Sequence, residues 1–200
     1  MKLEVSIGEA VDKLSILELK LNKIKNIDKL KEIKKEFDSL SECIKYKNLY
    51  IFYYNLLFHI NEKIWDYTNL IKDIKLQENT FKNFSELSDT IFLYNQKRFR
   101  IKNWFNILVN SNLKEQKSYG ETYCKIICSD KELIYQKIPE INYLTVEYDI
   151  VIFETSICDI INKEFKQPTI IFTDTNNDNL IIINLKEFNL LDEIRNIFMP

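Results

Sequence analysis

The 200-residue sequence predicts an α + α/β fold: an N-terminal antiparallel helical bundle over residues 1–119, followed by a small, mainly parallel α/β unit over 120–200. Three observations predict it. Apolar residues recur at three- and four-residue steps as far as about Asn110, and short β-rich runs alternate with helical patterns beyond Gly120. The charge also changes sign there: residues 1–119 carry 21 Lys and Arg against 16 Asp and Glu, whereas residues 120–200 carry 7 against 14.

The first helix follows from Ala10, Leu14, Leu17, Leu21 and Ile24, one stripe over Ile7 to about Lys25. After a break near Asn26 to Asp28, the stripe Ile27, Leu30, Ile33, Phe37, Leu40 and Ile44 predicts a second helix. Residues 48–76 are too thickly apolar and aromatic for one exposed face, so a third, central helix touched from several sides is expected. The polar interval "QENTFKN" separates it from a fourth, about Ser85 to Asn110. Long helices with short links favour antiparallel packing. Beyond Gly120, "TYCKIICS", "YDIVIFET", "PTIIFTDT" and "LIIINL" read as strands, with helical patterns at "DKELIYQKI", "SICDIINKEF" and "LKEFNLLDEIRNIF". Strands alternating with helices imply parallel βαβ units, so this half is Rossmann-like, and unbroken apolar runs such as "IVIF" belong to strands covered on both faces.

Composition excludes several classes. The apolar run Leu49 to Ile60 is interrupted by Asn55 and His59 and is too short to cross a bilayer core of about 30 Å. The N-terminus lacks the apolar core of a signal peptide, so a cytoplasmic location is expected. Cys43, Cys124, Cys128 and Cys158 form no CxxC pair, and the single histidine, His59, has no companion ligand; no metal site is expected and no cofactor is indicated. Cys124 and Cys128 share one face of a strand and read as small buried hydrophobes. The run "KRFRIK" carries too small a positive excess, without a recognisable binding fold, to point to nucleic acid.

The polar candidates begin at Ser6-Ile7-Gly8-Glu9, which fits a capping box: the serine oxygen accepts the N3 amide and the glutamate reaches back to the N-cap amide. Val5 and Ala10 occupy staple positions. Gly8 is not explained by capping, because glycine in a first turn costs stability; close approach of another segment or of a ligand would explain it. Glu9 and Asp12 lie on one face at the positive end of the helix dipole, where charge complementarity accounts for both without catalysis. In the fourth helix Tyr94, Ile101, Phe105 and Leu108 make a stripe whose missing member is Arg98. A guanidinium there needs a carboxylate or an anionic ligand; the internal partner ranks first, with Glu9, Asp12 and Glu18 as candidates. Asn95, Lys102 and Asn106 fall near the same face. In the second half Thr155 or Ser156 would cap a helix after a parallel strand, a place where α/β folds bind anions.

The stretch "SIGEAVDKLSILELK", with "IWDYTNLIK", "IFLYNQKRFRIKNWFN" and "KEQKSY", resembles an uncharacterised family of short helical bacterial and phage proteins, often encoded beside or fused to glycosyltransferases. The resemblance covers about the first 120 residues. It implies shared importance for Ser6, Gly8, Glu9, Asp12, Lys13, Asn95, Arg98, Lys102 and Asn106; Tyr67 and Thr68 replace the acidic pair that bacterial members carry after the tryptophan. "YDIVIFETSICDIINKEFKQPTIIFTD" is similar to the late βαβ unit in the nucleotide-binding half of GT-B glycosyltransferases and glycerophosphate-polymer transferases. Asp149, Thr155, Ser156 and Pro168 reproduce its layout, although there is no glycine-rich loop and Ile161 stands where an acidic residue is usual.

These resemblances imply an accessory module of glycan or glycopolymer assembly, binding a nucleotide sugar or a related anionic small molecule through Glu9, Asp12, Asn95, Arg98, Lys102, Thr155 and Ser156. The alternative is a non-catalytic helical adaptor that docks a glycosyltransferase or a second copy of itself. A third reading, an enzyme with Glu9 or Asp12 as general base and Arg98 as anion clamp, ranks last because capping already explains Glu9.

Overall fold

The computed structural model describes residues 4–74, 81–115, 122–128, 130–153, 170–172 and 181–190. The chain divides into two compact units, Met1–Glu115 and Gln116–Pro200. The first is helical and the second holds a parallel sheet, as the α + α/β reading expects.

In the helical unit, α1 (Ile7–Lys23), α4 (Ile51–Ile74) and α5 (Phe81–Leu108) supply the core. Val11, Leu14, Leu17 and Leu19 of α1 are buried with Tyr54, Leu56, Leu57 and Ile60 of α4 and Ile101, Trp104 and Phe105 of α5. Ring contacts show α4 and α5 running antiparallel: Tyr50 meets Phe105, Tyr53 stacks on Trp104 at 5.9 Å, and Tyr67 meets Tyr94. The thick apolar run of α4 therefore faces both α1 and α5.

The expected second helix is broken. α2 (Ile27–Ser39), capped by the Asn26 side chain on the Lys29 amide at 3.0 Å, ends where Ser39 turns its hydroxyl onto the Glu36 carbonyl. A 3₁₀ turn (Ser41–Cys43) and the short α3 (Ile44–Leu49) follow. No residue of α2 is buried and Ile27 is 70% exposed, so α2 lies on α1 as an appendage where a fourth wall was expected. α5 also begins earlier than its stripe suggests, taking in part of the polar interval.

The second unit contains β1 (Tyr123–Ile127), α6 (Lys131–Gln136), α7 (Ile138–Glu147), β2 (Ile150–Phe153), β3 (Ile170–Phe172) and β4 (Ile181–Asn184). Strand order is β3-β2-β1-β4, every pairing parallel, with Cys124 opposite both Val151 and Ile181. β2 is covered as its continuous apolar run predicts, with Val151, Ile152 and Phe153 buried. Cys124, Ile126 and Cys128 point into one core with Ile134, Ile141, Leu144, Phe153 and Leu185, which bears out the two cysteines as packing residues. Helix α7 is absent from the sequence reading. The helix expected from Leu185 does not begin by Leu190: Asn184 accepts the Lys186 amide through its side chain, and its carbonyl accepts Glu187 and Phe188, closing a turn. Gly120, Thr155 and the pattern "SICDIINKEF", which begins at Ser156, lie outside the described residues. Among the described residues no helix is long and apolar enough to cross a membrane.

Candidate functional site

The head of α1 is built against the tail of α5. Ser6, in extended conformation, accepts the Glu9 amide on its hydroxyl at 3.2 Å, so the serine half of the capping box forms. Val5 is 49% exposed and provides no firm staple. The Gly8 amide donates to Asn106 Oδ1 at 2.7 Å, and a Cβ on Gly8 would stand 2.2 Å from the Lys102 carbonyl oxygen. Gly8 is therefore a close-approach residue, and α5 backbone is what approaches.

The end of α5 completes the seal. Asn110 takes a positive φ of 50°, and the Ser111 amide returns to the Asn106 carbonyl at 2.7 Å, a helix-ending arrangement that reverses the chain. That reversal brings the Ser111 hydroxyl onto the Ile7 amide at 3.2 Å. With Ala10 N donating to the Ser6 carbonyl, the amides of residues 7 to 10 all have partners within the chain. The positive end of this helix is thus spent on protein acceptors, and an anion arriving there would have to displace them.

One turn further along, Asp12 is 2% exposed and takes Arg98 in a two-point contact, Nε to Oδ1 at 2.9 Å and Nη2 to Oδ2 at 2.5 Å. Asp12 is the carboxylate selected among the three candidates; Glu18 instead binds Lys47 and accepts the Tyr54 hydroxyl at 2.5 Å. Asn61 of α4 closes the Asp12 site, its Nδ2 donating to Asp12 Oδ1 at 2.9 Å and to Ser15 Oγ at 2.8 Å. Asn95 faces Arg98 Nη1 at 3.4 Å and ties its own amide to the Ile91 carbonyl. Burial pulls the Arg98 pKa down, but hydrogen bonding and attraction to Asp12 outweigh it and leave it raised.

Lys102, whose side chain is 9% exposed, lies between Glu9 and Glu115, at 2.6 Å from the latter. Burial lowers its pKa while Glu115 and Glu9 more than compensate, so the ammonium is held. Five of the seven residues expected at a site, Glu9, Asp12, Asn95, Arg98 and Lys102, thus come together on α1 and α5. Glu115, Asn61, Ser15 and Ser111 join them without having been expected. Asn61 breaks the apolar pattern of α4 and faces a Ser and an Asp three apart on α1, the signal that could have revealed it. Asn106 is fully buried, and its Nδ2 has no hydrogen-bond partner among the described residues.

Chemically, the cluster sets the carboxylates of Glu9, Asp12 and Glu115 against the cations of Arg98 and Lys102, one net negative charge. Each cation is closed by acid, which suits a helix-locking seam better than a phosphate cradle. Among the described residues no group of three His, Cys, Asp or Glu is arranged to hold a metal ion.

Comparison with known proteins places these motifs. The model of the family of unknown function DUF6165 matches residues 1–132, and the chain belongs to that family. No curated protein and no solved structure matches the chain.

Proposed function

We propose that this member of a family of unknown function is a non-catalytic interaction module, whose helical unit presents the outer half of the α4–α5 hairpin to a partner. The observation that carries the reading is the closed seam. Arg98 and Lys102, the residues best suited to hold an anionic ligand, already have buried or half-buried carboxylate partners from the same unit. Among the described side chains, the buried residues of α5 lie from Ile101 to Asn106, while toward its start Phe92 is 48% and Leu93 55% exposed. Leu70 of α4 is 49% exposed as well. These side chains lie toward the same end of two packed helices, where a partner could cover them, although Leu49 and Ile51 are exposed at the other end. A photo-crosslinking amino acid at position 92 tests this in cells: a discrete protein adduct is expected, against none from a probe at exposed position 29. A chain that gives no adduct at 92 would overturn the reading.

A second reading keeps the α/β unit as a binder of a nucleotide sugar in glycan assembly. The strand order favours it, because β3-β2-β1-β4 reverses direction beside β1, and doubly wound sheets bind ligands at the carboxyl ends of the strands flanking such a reversal. The strands flanking the reversal are β1 and β4; Thr155 and Ser156, the residues this reading would use, follow β2 in sequence, one strand away from it. Saturable stabilisation by one nucleotide sugar, lost in Ser156→Ala without loss of fold, would support it; no response to any of them would remove it.

A further inference from the structure

From the charge order along α5 we infer that the partner of the exposed hairpin face is a second copy of this chain, docked through α5 in antiparallel fashion about a two-fold axis at Leu93. The inference rests on the interaction-module reading and names its occupant. Around a helix of 3.6 residues per turn, Glu86, Asp89, Leu93, Lys97 and Arg100 fall within an arc of about 80°. Glu86 and Asp89 stand seven and four residues before Leu93; Lys97 and Arg100 stand four and seven after it. The face therefore reads acid, acid, leucine, base, base, a palindrome with opposite signs.

Laid antiparallel on its copy, that face sets Glu86 opposite Arg100 of the second copy and Asp89 opposite Lys97, and the two-fold repeats both pairs. A parallel arrangement in the same register would set like against like. Isologous contacts require such self-complementarity, which an unrelated partner would not impose on a single helix. Leu93, 55% exposed, supplies the apolar centre, flanked by charges that hold the register, as in paired helical interfaces; Phe92 stands about 100° round the helix, outside that arc. Glu86 and Asp89 are exposed, whereas Lys97, over the Tyr94 ring at 5.4 Å, and Arg100 are half-buried; Glu86, Lys97 and Arg100 already have contacts within the chain, so docking exchanges those contacts for the intermolecular pairs. A contact between two such faces is small beside standard interfaces of about 1,200–2,000 Å², so dissociation on the order of tens of micromolar is expected. Surface pairs are screened by salt, which should weaken the dimer about tenfold between low and high ionic strength.

Light scattering of the purified full chain from about 10 to 300 µM, a range set around that expected affinity, tests the inference. Wild type should rise toward the dimer mass. Glu86→Lys/Asp89→Lys makes the face wholly basic and Lys97→Glu/Arg100→Glu makes it wholly acidic. Each variant alone should stay monomeric, and an equimolar mixture of the two should recover a dimer. A monomeric wild type at the highest concentration, variants that dimerise like wild type, or a mixture that fails to pair would each overturn it. Should circular dichroism show either variant unfolded, Leu93→Cys decides: oxidation should give a linked dimer in excess of wild type, and no excess overturns the inference. A monomeric pure chain that still gives a discrete adduct with a different protein from position 92 refutes the second copy and leaves the interaction module standing; absence of both refutes both.

Discussion

Gly8→Ala separates packing from propensity, because the two predict opposite signs. In an isolated helix, alanine is favoured over glycine by about 1 kcal/mol, so local reasoning expects a more stable protein. In the structure the new Cβ would stand 2.2 Å from the Lys102 carbonyl oxygen, 2.8 Å from its carbon and 2.9 Å from Asn106 Oδ1. Two of those atoms are helix backbone, so relief requires α1 and α5 to part. Overpacking of this kind costs about 1–3 kcal/mol. Parting also stretches the buried Gly8–Asn106 hydrogen bond of 2.7 Å, whose loss adds about 1–3 kcal/mol. Net of propensity, a destabilisation of about 1–5 kcal/mol is expected. Trp65 and Trp104, the two tryptophans, both lie in the helical unit, so their fluorescence in urea reports that unit alone. A Gly8→Ala protein as stable as wild type, or more stable, would refute the close approach of α5.

Arg98→Ala should destabilise the helical unit by about 3–5 kcal/mol, since it strands the buried Asp12 carboxylate. Arg98→Lys should recover less than half of the loss, because one ammonium cannot reproduce the Nε and Nη2 contacts; equal stability of the two variants, by the same fluorescence, would contradict the pairing. In the α/β unit, burial pushes the Cys124 thiol from 9.0 up to about 12. A raised pKa means that its stabilisation is complete below about pH 9 and is lost as pH rises toward 12, up to about 4 kcal/mol in all. Cys124→Val should reduce that alkaline decline in calorimetric scans, leaving the separate losses from Lys102, Tyr54, Tyr148 and Cys43, whose pKa values are also raised. Alkylation followed by peptide mapping should find Cys43, which is only half buried, modified before Cys124.

Much of the seam is legible in the chain, and what is not has physical causes. Ser6 announces a helix start because capping is a local matter. Arg98 announces itself as a charge in an apolar stripe, and Gly8 as a cost with no local return. The choice of Asp12 over Glu9 and Glu18 is hidden, since it depends on where α1 crosses α5, and no local pattern encodes a crossing point. Glu115 is hidden for the same reason, brought to Lys102 by the chain reversal at Asn110. The second helix is misjudged because its stripe continues through Leu40 while Ser39 bonds back to the chain and the register breaks. Helix α7 is missed because Ile138, Ile141, Tyr143, Thr145 and Val146 favour a strand by residue type; Pro139 near its start and the burial of Ile141, Leu144 and Thr145 on one face show the helix. The parallel sheet is readable because β2 and its neighbours are short apolar runs separated by helical patterns, but the strand order is a long-range property that the runs do not carry.

The claim that the α1–α5 charges lock helices, and do not await a ligand, is met most directly by unfolding the chain in urea with tryptophan fluorescence across a panel of inorganic phosphate, nucleoside diphosphates and nucleotide sugars. A ligand held by Arg98 and Lys102 would stabilise the helical unit by about 2.7 kcal/mol at one hundred times its dissociation constant. No saturable shift of the tryptophan transition is predicted; a saturable one, abolished by Lys102→Met in a protein that still folds, would contradict the account.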